Sequence, residues 1–457
     1  MPKLNNTKNN SGNYLLNILG EKMKKAKINL IYFLIAMGGF LLGYLTSVIA
    51  GVLPLMSSEF KLNSQQQGLT SSIVIFGGVL GALSFGKLAE KIGRKKTFLG
   101  FVFLCTLSII GCSLPRNFTI IMGFRFLMGI SVGAIQGLVP IYLSEIAPTP
   151  IRGKISSFAT VLTNGGFLVA YIVNYLFYSS QNWRIMNLIC LISTFLILLG
   201  GFKIPETPEW LLKNNQVTAA QKNHLLIFGT KLAVTSNDAT SKKTLHGKKI
   251  EHWMITPLIL CIFIVTFQKF TGANTILYYA PKILKSAHLP EKLASLSTIG
   301  IGIILVLAAI ISQNIVDKVG RKFLALLGNA LMGGILILLS ILTKIPQVPV
   351  FITIILLFCF IAVYALTWSS IPWILMGELL PNAIKDFGSA LATGGTWLAD
   401  ALITLFFPDT LKAVGISSIF LFFGILNIIC WFLLNKNLFE TKGKSSDEIA
   451  MIEKNNN

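Results

Sequence analysis

The chain has 457 residues, of which 53% are hydrophobic and 12% charged; its net charge is +21 and its mean hydropathy +0.71. So little charge excludes a soluble globular domain of this length. The basic residues lie in short loops between apolar runs rather than in one patch, which excludes nucleic-acid binding and fits the cytoplasmic excess of Lys and Arg in membrane proteins.

Residues 1–27 are polar and rich in Asn and Lys, without a small-residue cleavage site. They read as a disordered cytoplasmic tail, not a signal peptide. Long unbroken apolar runs follow. Runs of about 18 residues or more cross the hydrocarbon core as helices, because lipid offers no hydrogen-bond partner to a free backbone. The alternating segments of a β-barrel are missing. Twelve spans are predicted: 29–54, 69–86, 97–114, 118–144, 155–178, 184–202, 254–281, 293–316, 323–343, 349–377, 388–408 and 413–435. Lys87, Lys91, Arg94, Lys95 and Lys96 follow the second span, Arg152 and Lys154 the fourth, and Lys318, Arg321 and Lys322 the eighth. Loops 55–68 and 179–183 are poor in Lys and Arg. Both termini therefore face the cytoplasm. The domains read as a tail at 1–27, a six-helix bundle at 28–203, a cytoplasmic linker at 204–252, a second bundle at 253–435 and a tail at 436–457.

The two bundles repeat one design. "EKIGRKK" from Glu90 recurs as "DKVGRKF" from Asp317, "EIAPTPIRG" from Glu145 as "ELLPNAIKD" from Glu378, and "PETP" from Pro205 as "FETK" from Phe439, all at nearly one offset. Parallel repeats of this kind fit an alternating-access transporter. Gly93 and Gly320 allow tight turns, and acids and bases flank them. Glu90, Arg94, Glu145, Arg152 and Glu206 form one candidate gate set; Asp317, Arg321, Glu378, Lys385 and Glu440 form its counterpart. Carboxylate–guanidinium pairs there would close the cytoplasmic side, and breaking them would open it.

Six cysteines lie in apolar runs without a C-x-x-C pair, and the four His lack metal-ligand spacing. No metal, cofactor or nucleophile–base set is expected, so the chain is not read as an enzyme. Three ionisable residues fall deep within predicted spans: Arg125, Lys269 and Asp400. A charge at mid-helix costs roughly 2.5–3.5 kcal/mol on insertion scales, so each is a functional candidate. Lys269 and Asp400 favour one another once desolvated, and their head groups are expected to meet; a purely structural ion pair is the alternative.

Several stretches carry a family resemblance. "GGFLLGYLTSVIAG", "GKLAEKIGRKK", "RFLMGISVGAIQGLVPIYLSEIAPTPIRG", "PETPEWLL", "QKFTGANTILYYAP", "IPWILMGELLP" and "FETKG" occur in order. The chain resembles the sugar porters of the major facilitator superfamily over about residues 30–443. The resemblance implies an all-α integral membrane protein with twelve transmembrane helices, in two six-helix bundles related by pseudo-two-fold symmetry. It also implies a central cavity lined by Gln268, Asn274, Tyr278, Trp373 and Trp397. Amides suit sugar hydroxyls, and indole offers a flat face plus one donor. Helix packing is the alternative for each aromatic.

The departures are informative. Lys269 and Asp400 stand where the family has sugar-contacting amides. Thr160 replaces a Gln, Leu305 an Asn, Ser369 a Gly, and Glu209 the base after the P-E-S-P signature. Arg125 matches a family residue whose partner in proton-coupled members is a helix 1 acid, here Leu45. The expected function is alternating-access transport of a sugar or sugar-like solute, with uniport favoured because Leu45 cannot carry a proton. Proton-coupled symport through Asp400 and Lys269, transport of a charged sugar derivative, and a non-transporting solute sensor are the alternatives. The expected setting is the plasma or inner membrane, with the chain acting as a monomer, its partners the solute, the bilayer and, under symport, protons.

Overall fold

The computed structural model describes residues 7–148, 152–230, 251–286, 291–345, 349–381, 384–444, 448–449 and 451. In the first half the helices are α1 (Thr7–Ser47), α2 (Ile49–Phe60), α3 (Ser64–Ile92), α4 (Arg94–Ser113), α5 (Phe118–Ile146), α6 (Arg152–Tyr178), α7 (Trp183–Leu188) and α8 (Leu191–Gly200). The linker contributes α9 (Pro208–Lys213) and α10 (Val217–Phe228). The second half holds α11 (Ile255–Phe270), α12 (Ala273–Ser286), α13 (Glu291–Val319), α14 (Arg321–Leu342), α15 (Val350–Leu366), α16 (Ile371–Leu379) and α17 (Lys385–Asn437). Described residues contain 11 helical stretches long and apolar enough to cross a membrane. The last covers two of the twelve predicted spans, which meet at Gly415 (φ 74°, ψ 168°).

One sequence expectation needs correction. Helix α1 begins at Thr7, so most of the segment read as a disordered tail is helical. The segment from Thr7 to Lys27 holds no Pro, so the first span's helix can propagate backwards through it despite Gly12, Gly20 and the Asn residues.

The helix of the first span is interrupted for one residue, Val48, within "GYLTSVIAG". Ser47 Oγ donates to Gly43 O at 2.6 Å and Thr46 Oγ1 to Leu42 O at 2.7 Å. Such back-bonding competes with the helix ladder, and α1 ends at Ser47 before α2 begins at Ile49. Beyond α2, Asn63 and Gln66 form a reciprocal capping box at 2.8 and 3.0 Å that starts α3. In the second half the seventh span is interrupted at Gly272 (φ +88°), between α11 and α12. The tenth is interrupted between Leu366 and Ile371.

Small residues let helices touch backbone to backbone. A Cβ on Gly43 would lie 1.9 Å from Thr163 O, so α1 meets α6 only because Gly43 has none. The two halves meet through α3 against α17, α6 against α13 and α2 against α12. A Cβ on Gly68 would reach Leu405 O at 1.9 Å, and one on Gly78 the Trp397 ring at 2.5 Å. Lys282 Nζ donates to Gln67 Oε1 at 3.0 Å, and Tyr171 Oη to Leu277 O at 2.7 Å. These contacts run inward from the face opposite the Gly-Arg-Lys turns, so the halves are joined on that side.

Replacing Gly43 by Ala should destabilise the fold by about 1–3 kcal/mol, the usual cost of overpacking. Gly86→Ala, where no atom lies within 4 Å of the added Cβ, should be neutral or slightly stabilising. Thermal unfolding of the two purified variants beside the parent checks this.

Candidate solute-binding site

The break in the seventh span gathers the polar residues of the second half. Lys269 lies in the last turn of α11, and Asn274 and Tyr278 one turn apart on α12. All three reach Asp400 on α17. Lys269 Nζ lies 3.0 Å from Asp400 Oδ2; Asn274 Nδ2 donates to the same oxygen at 3.0 Å and Tyr278 Oη at 3.1 Å. Asn274 Nδ2 also donates to Tyr278 Oη at 3.2 Å, and Tyr364 Oη on α15 to Asn274 Oδ1 at 3.5 Å. The Asp400 side chain is 5% exposed and that of Lys269 15%. Oδ2 is saturated by three donors, whereas Oδ1 takes no protein donor among the described residues. The pair is internally neutral, and one carboxylate oxygen remains available to a hydroxyl.

Other expected residues are placed differently. Gln268 is buried, and its Nε2 donates to Trp368 O at 2.7 Å and Ser369 O at 3.3 Å. It thus ties α11 to the interrupted tenth span, leaving its Oε1 to act as acceptor. Trp373 is half-buried beside Cys261, Val265, Leu380 and Ala392. Trp397 is buried against Gly78 of the first half. Thr160 is exposed. Leu305 is buried and offers only its carbonyl, which accepts from Asn164 Nδ2 at 3.2 Å. Arg125 is 2% exposed; its Nε donates to Thr70 O at 3.0 Å. Leu45, Thr46, Ser71 and Tyr278 wall a cavity of about 10 Å³ with it.

Comparison with known proteins fixes the context. Residues 31–452 match the profile of the family described as "Sugar (and other) transporter". The chain belongs to the sugar transporter family. It is 34% identical to a D-xylose transporter of Levilactobacillus brevis, across 93% of this chain and 96% of that one. It is 32% identical to the glucose transporter GlcP of Staphylococcus epidermidis, across 93% and 97%. The inward-open structure of the Escherichia coli xylose transporter XylE superposes with a TM-score of 0.79 at 26% identity, covering 93% of this chain and 99% of that one. This transporter is therefore a multi-pass, all-α membrane protein of the major facilitator fold, and not an enzyme.

At its charged turns the transporter repeats one arrangement in each half. Glu206 caps the start of α4, accepting from the backbone N–H of Arg94 at 2.8 Å and of Lys95 at 3.2 Å. Glu440 does the same for α14, accepting from Arg321 N at 2.9 Å and Lys322 N at 3.0 Å. A carboxylate at a helix N-terminus is favoured by the orphan N–H groups and the dipole. Gly93 (φ +98°) and Gly320 (φ +109°) admit these carboxylates: a Cβ would lie 2.2 Å from Glu206 Oε2 and 2.7 Å from Glu440 Oε2. Arg94 then pairs with Glu145 at 2.8 Å and Arg321 with Glu378 at 3.1 Å. Thr441 Oγ1 donates to Glu378 Oε2 at 2.5 Å. Glu90 stands apart: it is exposed, its carboxylate makes no ion pair among the described residues, and only its carbonyl is used, by Trp210 Nε1 at 2.8 Å. The side chains of Arg152, Asp317 and Lys385 lie outside the described residues.

Sequence reasoning missed Tyr364, Asn164 and Tyr171, which carry cross-helix or cross-half hydrogen bonds. Asn164 and Tyr171 lie seven residues apart on α6, two turns along one face, and that spacing was the available signal.

The paired glutamates differ electrostatically. Burial, the largest influence on Glu206, pushes it above the usual 4.5 despite the backbone N–H groups around it. At Glu440 burial also pushes upward, but the N–H groups of Arg321, Lys442, Lys322 and Phe323 together outweigh it and hold the carboxyl below 4.5. The stability from Glu440 is thus present above about pH 4.5 and lost as pH falls through its lowered value; that from Glu206 is full below 4.5 and lost as pH rises through its raised value. At pH 7, Glu440→Gln should lower the unfolding temperature more than Glu206→Gln. The gap should narrow as pH is brought towards 4, and melting curves across pH check it.

Proposed function

We propose that this chain carries a neutral sugar across the membrane by alternating access, as a uniporter. The observation that carries the reading is at Arg125: the wall beside it is Leu45, and no carboxylate lies within ion-pair distance of it among the described residues. A proton carrier of the Arg–carboxylate kind needs a group that trades its proton for the pairing. The internally neutral Lys269–Asp400 pair supports a neutral solute. An anionic sugar derivative would have to take Lys269 from Asp400 and leave a buried charge unpartnered. In this reading the hydroxyls meet Asp400 Oδ1, the Gln268 amide oxygen and the Trp373 ring. The likeness to the xylose and glucose transporters supports a monosaccharide.

In this reading the two Gly-Arg-Lys networks border the cytoplasmic side and brace each half there, since both are paired while the halves meet on the opposite side. Each binds helices within its own half, so each half moves as a rigid unit. In this reading both termini face the cytoplasm, which the basic turns support, and the transporter works as a monomer in the plasma or inner membrane.

A second reading rests on the 3.0 Å Lys269–Asp400 contact. A buried carboxylate whose partner can move away is able to take up a proton, and the coupling site would then lie in the second half. Proteoliposomes given radiolabelled xylose or glucose in the external medium separate the two. Under an inward proton gradient, uniport predicts equilibration without accumulation. Accumulation above equilibrium contradicts uniport and favours the second reading. In that case Asp400→Asn should abolish accumulation while leaving exchange measurable.

A further inference from the structure

Arg125 carries a charge that the second-half cluster does not neutralise. It is 2% exposed on α5, and a guanidinium stays protonated in a protein. Its Nε is satisfied by Thr70 O at 3.0 Å. The two terminal amino groups, with four N–H donors, meet no protein acceptor among the described residues. Leaving such a group desolvated and unpaired is strongly unfavourable.

The adjoining cavity of about 10 Å³ is bounded by Leu45, Thr46, Ser71, Arg125 and Tyr278, with Ile49, Val74 and Ile75 completing it. Its volume matches one water-sized occupant, so a monatomic ion enters with a slight outward shift of the Leu45, Ile49, Val74 and Ile75 side chains, whereas an oxyanion with several heavy atoms is excluded. Thr46 Oγ1 donates to Leu42 O at 2.7 Å and Ser71 Oγ to Gln67 O at 3.2 Å, so the hydroxyl protons are spent on their own helices. The free donors at this cavity are those of Arg125. A water molecule would satisfy an N–H but not the charge. We infer that the cavity is a binding site for a monovalent halide, chloride in a cell, paired with Arg125. The halide takes the place that a carboxylate on residue 45 would fill.

Tyr278 belongs to the second half, and the other walls belong to the first. An occupant touches both, so halide binding favours the arrangement in which the halves meet on this side. The inference does not depend on which solute is carried.

Thermal unfolding of the purified full chain tests it, in chloride against gluconate at constant ionic strength and pH. The midpoint should rise by about 2 °C or more between zero and about 150 mM chloride and then saturate, as mass action requires. Bromide should reproduce the effect. Arg125→Gln should lose it. Leu45→Asp, which supplies a tethered carboxylate, should also lose it, and this variant decides the matter if Arg125→Gln does not fold. A midpoint indifferent to chloride, meaning a water-filled cavity only, overturns the inference. So does a chloride response of undiminished size in Leu45→Asp.

Discussion

A charge taken out of water must be met by an opposite charge or by directed hydrogen bonds, and the polar interior of this transporter is arranged around that constraint. Its centre is Asp400. The carboxylate lies on α17, but the three groups that hold it come from either side of the break at Gly272: Lys269 before it, Asn274 and Tyr278 after it. A continuous helix would turn about 100° per residue and could not hold that set in the same way. The irregular backbone is tolerated because it faces protein, not lipid. Burial also makes the pair a unit: removing one member strands the other, whereas removing both leaves two amides that the cavity can hold.

The same constraint governs the charged turns. Glu206 and Glu440 reach helix N-termini more than 100 residues away in sequence, and they do so through glycine. The Gly of each Gly-Arg-Lys turn has two duties, a positive φ and an open approach for a carboxylate. The halves differ in how deeply the carboxylate is set, which raises Glu206 and lowers Glu440. The symmetry of sequence therefore does not extend to the electrostatics of the two turns.

Much of this was legible in the residues. Apolar run length and loop charge give the spans, because lipid leaves a backbone few options. The motif pairs give two like halves. Lys269 and Asp400 stand out because charge is costly inside a span. Helix interruptions were less legible: residue type does not separate Gly272 from the glycines that lie inside unbroken helices, and its φ of +88° is seen only in the structure. Gln268 illustrates another limit. The motif assigns it to the cavity, while its amide N–H groups hold the backbone of the tenth span. Glu90 matches the repeat as well as Glu145 does, yet it faces outward, because register about the helix decides which acid meets the arginine.

The central claim is that Lys269 and Asp400 act as one neutral unit within a sugar site. Sugar exchange by Lys269→Gln, Asp400→Asn and the double variant tests it most directly, compared in the same liposomes. The account predicts that each single change cuts exchange about tenfold or more, since each strands a buried charge, and that the double variant recovers most of it. Losses in the double variant that equal the product of the two single losses would contradict the account.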